Sequence, residues 1–177
     1  MLRDKLLEIT LDPAVADHPN RVAQLVAEVA HTILLRDSAH PLDRYTCGVH
    51  AFHLVEDPDY VQVATTGLGS TFAGPEFIEF LLTHELLEPR KDGEQQADDL
   101  VIYFEGGVFR HVGRLLEDGR VISKWGTGCL WEHQVWEVPR SYGDEVRFFV
   151  GPDEQQSYDL FVKFAESKGF EFGQPEV

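Results

Sequence analysis

The hydrophobic period of the chain changes near its middle, and that change restricts the fold more than any other feature. Between residues 99 and 151 lie five short segments rich in β-branched and aromatic residues: DLVIYF (99–104), FRHVGRLL (109–116), RVISKWG (120–126), EHQVWEVP (132–139) and DEVRFFVG (144–151). The turn signals EGG, EDG, GTG and YGD separate them, a pattern that predicts a five-strand antiparallel meander. Upstream, the apolar spacing is helical. NRVAQLVAEVAHTILL (20–35) has Val22, Leu25, Val26, Val29, Ile33 and Leu34 on one face and Asn20 as N-cap. CGVHAFHLV reads as a short buried helix starting at Cys47, and GPEFIEFLLTHELLEP as a helix entered at Pro75 and stopped before Pro89. The glycine-rich TTGLGSTFAG (65–74) lacks the lysine and spacing of a phosphate loop and reads as a plain connection. A last helix is expected from Asp153 to about Lys168, with Asp153 and Gln156 as a capping box and Gly169 closing it. Helices first and strands afterwards define an α+β fold, expected as a single domain over 1–177.

Composition narrows the classes of function. A formal net charge of −16, from 31 acidic against 15 basic residues, repels polyanions. Nucleic acid and anionic membrane surfaces are therefore not expected partners, whereas a basic or neutral protein partner is accommodated. No apolar run approaches the ~18 residues of a membrane span. The N-terminal stretch has charges inside its short apolar segment and no small-residue cleavage pattern, so a cytoplasmic location is expected. Two cysteines, Cys47 and Cys129, are too few for a disulfide framework.

Cys47 is the residue type and position from which chemistry could start. A thiol becomes nucleophilic as its pKa falls, and the first turn of a helix lowers it through unpaired backbone N–H groups. Gly48 is expected to leave the approach to sulfur open and to let the Cys47 N–H face an oxyanion. The bland alternative is a small buried hydrophobe. Of the eight histidines, His50 and His53 follow on the same helix and point elsewhere, so a structural or partly solvated role is expected for both. His111 lies near the start of a strand with small Gly113 two residues on, which is expected to leave space beside the imidazole. Cys47, His50, His53 and His111 match no metal-ligand spacing, so neither metal nor other cofactor is expected. Trp125, Trp131 and Trp136 are read as core rather than as a substrate groove, and Cys129 as structural or incidental.

The residues together resemble a family. A cysteine–glycine pair at a helix start, then DDLVIYF, HVG and a DG hairpin, is similar to the NlpC-type and CHAP-like cysteine peptidases of the papain-like superfamily, over about residues 44–150. The resemblance implies a papain-like, NlpC-type fold: N-terminal helices packed on the five-strand antiparallel sheet, with an extra C-terminal helix. It implies a cysteine hydrolase, a peptidase, amidase or acyl transferase without cofactor, that acts on a peptide or amide bond. Cys47 would attack and His111 would carry the proton. The oxyanion would be met by the Cys47 backbone N–H and by Tyr45. The family's orienting position falls on Ser123, where a hydroxyl replaces the usual stronger acceptor, with His133 or Glu132 as substitutes. If EDG forms a three-residue loop, Gly113 opposes Ser123; if the turn is Asp118-Gly119 alone, Lys124 takes that place. A catalytically inactive domain of the same fold, serving as a protein-interaction module, is the alternative.

Overall fold

The computed structural model describes residues 1–66 and 72–172. Half of the 65–74 connection, residues 67–71, therefore lies outside the described residues. In chain order the elements are α1 (Leu2–Leu11), α2 (His18–Leu25), β1 (Leu34–Arg36), α3 (Cys47–Ala51), α4 (Pro58–Thr66) and α5 (Pro75–Thr83). They continue with β2 (Leu100–Glu105), β3 (Val108–Leu115), β4 (Val121–Lys124), β5 (Leu130–His133), β6 (Glu145–Phe149) and α6 (Glu154–Ser167). No helix among the described residues is long and apolar enough to cross a membrane.

The α+β class holds, but the sheet has six strands, not five, in the order β1-β5-β4-β3-β2-β6, all antiparallel. Two expectations are corrected here. The helix expected over 20–35 ends at Leu25, and Leu34–Arg36 instead pairs with Leu130–Glu132. Long-range bonds override the local periodicity: the Glu137 carboxylate accepts from Thr32 N and Oγ1 at 2.7 and 2.8 Å, and the Arg36 guanidinium pairs with Glu132. The meander also stops at β5. β6 returns to the far side of β2, where Arg90 N donates to Phe148 O and Val150 N to Glu88 O, covering its outer edge.

Both faces of the sheet are packed by helices. On one face Leu100, Ile102, Phe104, Phe109, Val112 and Phe149 meet α3, α4, α5 and α6. There Phe77 contacts Phe52, Phe161 and Phe164 at centroid distances of 5.0, 6.0 and 5.6 Å. On the other face Val101, Tyr103, Leu115, Val121 and Trp131 meet α1 and α2. A β-bulge between Tyr103/His111 and Phe104/Phe109 leaves Arg110 without a partner across β2. It turns Phe109 to the α3 side together with Val112, while His111 joins Tyr103 on the opposite side. The C-terminal helix is as expected: Gln156 N donates to Asp153 Oδ1 at 2.8 Å, Asp153 N to Gln156 Oε1 at 3.0 Å, and Gly169 has φ 88°.

Candidate active site

α3 is held by its C-terminal end. Arg114, buried on β3, donates Nε to Ala51 O at 2.5 Å, Nη1 to Asp98 O at 2.8 Å and Nη2 to Pro152 O at 2.7 Å. Three carbonyls thus share one cation, whose pKa burial lowers to about 10. At the other end Gly48 presses against the backbone of Ala73, whose carbonyl oxygen occupies the space a Cβ would need. Gly48 is therefore required for packing, which corrects the expectation that it clears an approach to the sulfur.

The β3–β4 ladder is short. The strands pair at Arg114–Ile122 and Leu115–Val121, so Val112 lies beyond its end, level with Lys124. Cys47 comes in at this point, half-buried against the α3-side core, where the backbone N–H groups of Val112, Gly48 and Cys47 itself favour the thiolate. Burial nevertheless dominates and raises the thiol pKa above its ordinary value; the backbone donors and the charge of Lys124 act in the opposite direction. Both cysteines are free thiols.

His111 is 1% exposed and its Nε2 has no hydrogen-bond partner among the described residues. Burial, then the charges of His133 and His50, hold its pKa well below the ordinary value, so the imidazole is neutral at rest. Tyr142, from the short turn Arg140–Tyr142, stacks on it at 3.9 Å and 12°. Tyr142 also senses Cys47: burial first, and then a thiolate at Cys47, push its phenol pKa well above the ordinary value. Nothing but the YGD turn signal marked this residue in the sequence. Among the described residues no hydrogen bond joins Cys47 to His111, and the two are linked through their common neighbour Tyr142.

The hairpin register follows the three-residue loop. Leu116 N donates to Arg120 O at 2.7 Å, Gly119 has φ 80°, and Gly113 faces Ser123. The space expected beside Gly113 does not exist, because Val121, Ile122 and Ser123 fill it. Ser123 and His133 are both fully buried and bonded to each other, Oγ to Nε2 at 2.8 Å. His133 Nδ1 lies 2.8 Å from Gln134 O and must donate there, so Nε2 accepts and the Ser123 hydroxyl is the donor. Ser123 is thus bonded to His133, while its lone pairs stay on the face that carries His111. Glu132 is taken by Arg36 and Arg120 on the opposite face.

The Tyr45 hydroxyl is bonded to Ser38 Oγ at 2.5 Å; Ser38 itself donates to His40 O, so Tyr45 is the donor. Its ring carries the Lys124 ammonium 4.7 Å from the centroid. A cavity of about 490 Å³ opens beside Tyr45 and His50, with His40, His53, Asp37 and Glu56 among its walls. His50 Nδ1 is buried without a partner among the described residues, and burial lowers its pKa to about 4. Among the described residues no three His, Cys, Asp or Glu side chains converge as metal ligands. Trp125 and Trp131 are core, whereas Trp136 is 46% exposed. Cys129, read from the sequence as structural or incidental, is buried and close enough to Lys124 for their charges to interact.

Compared with known proteins, no family model matches the chain, and no curated protein or solved structure matches it.

Proposed function

We propose that the chain is a cysteine hydrolase or acyl transferase of the NlpC-type, papain-like kind, with a peptide or amide bond as substrate. Cys47 is the nucleophile and His111 the base. The observation that carries this reading is the buried, neutral imidazole of His111, which has an unsatisfied nitrogen and stacks on Tyr142, a ring close enough to Cys47 for their charges to interact. A neutral imidazole is the form that accepts a proton. As sulfur bonds to the substrate carbonyl carbon, its proton passes to His111 and the carbonyl π pair moves to oxygen. Collapse breaks the C–N bond, the amine takes the proton from His111, and a thioester remains on Cys47. Water, or an acceptor amine, then attacks the thioester, giving a proton to His111 that returns to the departing sulfur. Free thiols at both cysteines suit a reducing cytoplasm.

The test uses 4-nitrophenyl acetate as acyl donor. Nitrophenol release and an acetyl adduct mapped to Cys47 by intact-protein and peptide mass spectrometry are expected. Cys47→Ala abolishes the adduct, and His111→Ala slows release by about 10²-fold or more. An adduct confined to Cys129, or a rate indifferent to His111, overturns the reading. The lack of a Cys47–His111 hydrogen bond favours a second reading, a catalytically inactive domain that binds a partner protein; that reading predicts no turnover with any acyl donor.

A further inference from the structure

We propose that edge strand β1 and the cavity that follows it dock an extended peptide carrying a lysine or arginine, with the peptide backbone paired to β1 and the cationic side chain in the cavity. That the docked segment is the amide substrate of Cys47 rests on the function proposed above; the docking itself does not. β1 pairs only with β5, and among the described residues its backbone forms no hydrogen bond on its outer edge. All three of its residues are exposed, Leu34 at 49% and Leu35 at 48%. Successive strand residues point to opposite faces, so an added strand would cover both leucines. Proteins normally guard such an edge with charge, because it recruits another strand. Here the Arg36 guanidinium is taken by Glu132 and leaves the edge unguarded.

The residue after β1 is Asp37, which lines the cavity of about 490 Å³ beside Tyr45 and His50. The carboxylates of Asp37, Glu56, Asp57 and Glu154 lie in the walls of that cavity, and no lysine or arginine does. Asp57 accepts from Asp59 N and Tyr60 N at 3.0 and 2.9 Å, and Glu56 meets His40 Nε2 at 3.0 Å. The exposed carboxylates of Asp37 and Glu154 have no hydrogen-bond or ion-pair partner among the described residues. His50 and His53 do not offset this charge, since burial lowers the pKa of His50 to about 4 and that of His53 below its ordinary value. The wall is braced before any ligand arrives: Tyr45 donates to Ser38 Oγ at 2.5 Å and Ser38 to His40 O at 2.7 Å. Tyr45 and His50 flank Cys47 in the chain, so a side chain in the cavity lies against the segment that carries the nucleophile. A second copy of the chain could also pair on a free edge, but a net charge of −16 on each copy opposes that and favours a basic partner.

The experiment titrates the full Cys47→Ala chain with the end-blocked peptide Thr-Val-Lys-Val-Thr by isothermal titration calorimetry. The same peptide with norleucine or glutamate in place of lysine is the control. The lysine peptide is expected to bind, the norleucine peptide to bind about tenfold more weakly or worse, and the glutamate peptide not to bind. Raising NaCl from about 50 to about 500 mM should remove most of the lysine advantage. Asp37→Asn combined with Glu154→Gln, both at exposed positions, should weaken the lysine peptide about fivefold or more and leave the norleucine peptide unchanged. Alternate N–H groups of a strand face opposite edges, so N-methylation of the two valines, or of the other residues, blocks one edge each. One of those two peptides should lose binding and the other keep it. Equal binding of the lysine and norleucine peptides, no binding of the lysine peptide at about 1 mM, or an unchanged affinity in the doubly substituted chain overturns the proposal. So does equal behaviour of the two N-methylated peptides. A dimer in light scattering that the lysine peptide does not dissociate gives the edge to a second copy and overturns it as well. Peptide binding together with nitrophenol release indifferent to His111 would reject the hydrolase reading and keep the docking edge; the reverse pattern would do the opposite.

Discussion

Replacing Gly113 with alanine sets two physical effects against each other. Glycine in a strand costs roughly 0.5–1 kcal/mol relative to alanine, so propensity alone makes the substitution stabilising. The surroundings argue the other way. A Cβ at residue 113 would sit 2.7 Å from Val121 Cγ1, 2.9 Å from Ile122 O and 2.9 Å from Ser123 Cβ. Ordinary contacts between carbon atoms lie near ~3.5–4.0 Å, so each neighbour must retreat by roughly half an ångström or more. Val121 and Ser123 could turn their side chains, but Ile122 O is ladder backbone and cannot move without drawing β4 away from β3. Overpacking of this kind costs about 1–3 kcal/mol. The ladder here has only two recorded pairs, so there is little to absorb the shift. The net expectation is a destabilisation of about 1–2 kcal/mol. Urea unfolding followed by Trp fluorescence measures it, since Trp125 and Trp131 are buried in the adjoining core. The displacement of β4 also draws the Lys124 ammonium from the ring of Tyr45. A Gly113→Ala protein as stable as the parent or more so would show that β4 yields freely, and the rigid-gap account of the site would fail.

Three further predictions concern the supports of the site. Arg114→Leu leaves two buried carbonyls, those of Ala51 and Pro152, and the part-buried one of Asp98 without their donor and should cost about 3–5 kcal/mol, or prevent folding, in a denaturation experiment; a loss under about 1 kcal/mol would show that α3 is held by packing alone. Ser123→Ala removes the donor to His133 Nε2 and should cost about 1–3 kcal/mol, with nitrophenol release falling as well if Ser123 also orients His111. His133, buried and with a pKa near 4, should make stability fall as pH falls. The unfolded chain binds that proton below its ordinary value of about 6.5 and the folded chain does not until about 4. Between those values the unfolded state therefore carries the extra proton, and the loss reaches about 3 kcal/mol. Unfolding free energies at pH 7, 6 and 5 should show a slope that flattens by about one proton in His133→Asn; an unchanged slope would mean that His133 is not the group responsible.

Strand identity was legible because β-branched and aromatic runs bounded by turn residues have few other uses; three expected strands lie as β2-β3-β4, whereas the one expected over 132–139 is found over Leu130–His133 and shares only Glu132 and His133 with the expectation. The capping box at Asp153 was legible because it is entirely local. Three features were not. β1 has both leucines exposed, so no burial pattern marks it; pairing to β5 and the Arg36–Glu132 and Thr32–Glu137 bonds define it across about a hundred residues. The position of β6 follows from the 88–90 segment that lines its outer edge, again a long-range fact. Nothing in the sequence singles out Arg114, and Lys124 enters only through the alternative hairpin register; the tertiary structure shows that both are buried.

The two glycines argue for one conclusion about how the site is made. Gly48 brings α3 onto the Ala73 backbone, and Gly113 brings β4 onto β3 just where their ladder ends. Arg114, the last residue of β3 paired with β4, reaches back to the end of α3, so the same point of the sheet fixes both the strand gap and the helix that fills it. The Val112 N–H at the gap favours the Cys47 thiolate, and Lys124 on the facing strand has its ammonium on the ring of Tyr45, two residues before Cys47. Burial is the largest cause of the raised pKa of the Cys47 thiol and of the lowered pKa values of His111 and Lys124, so closing the gap favours the uncharged form of all three. In the proposed reaction, charge separates only when a carbonyl carbon takes the electrons of the sulfur, and the proton then moves to the neutral imidazole of His111.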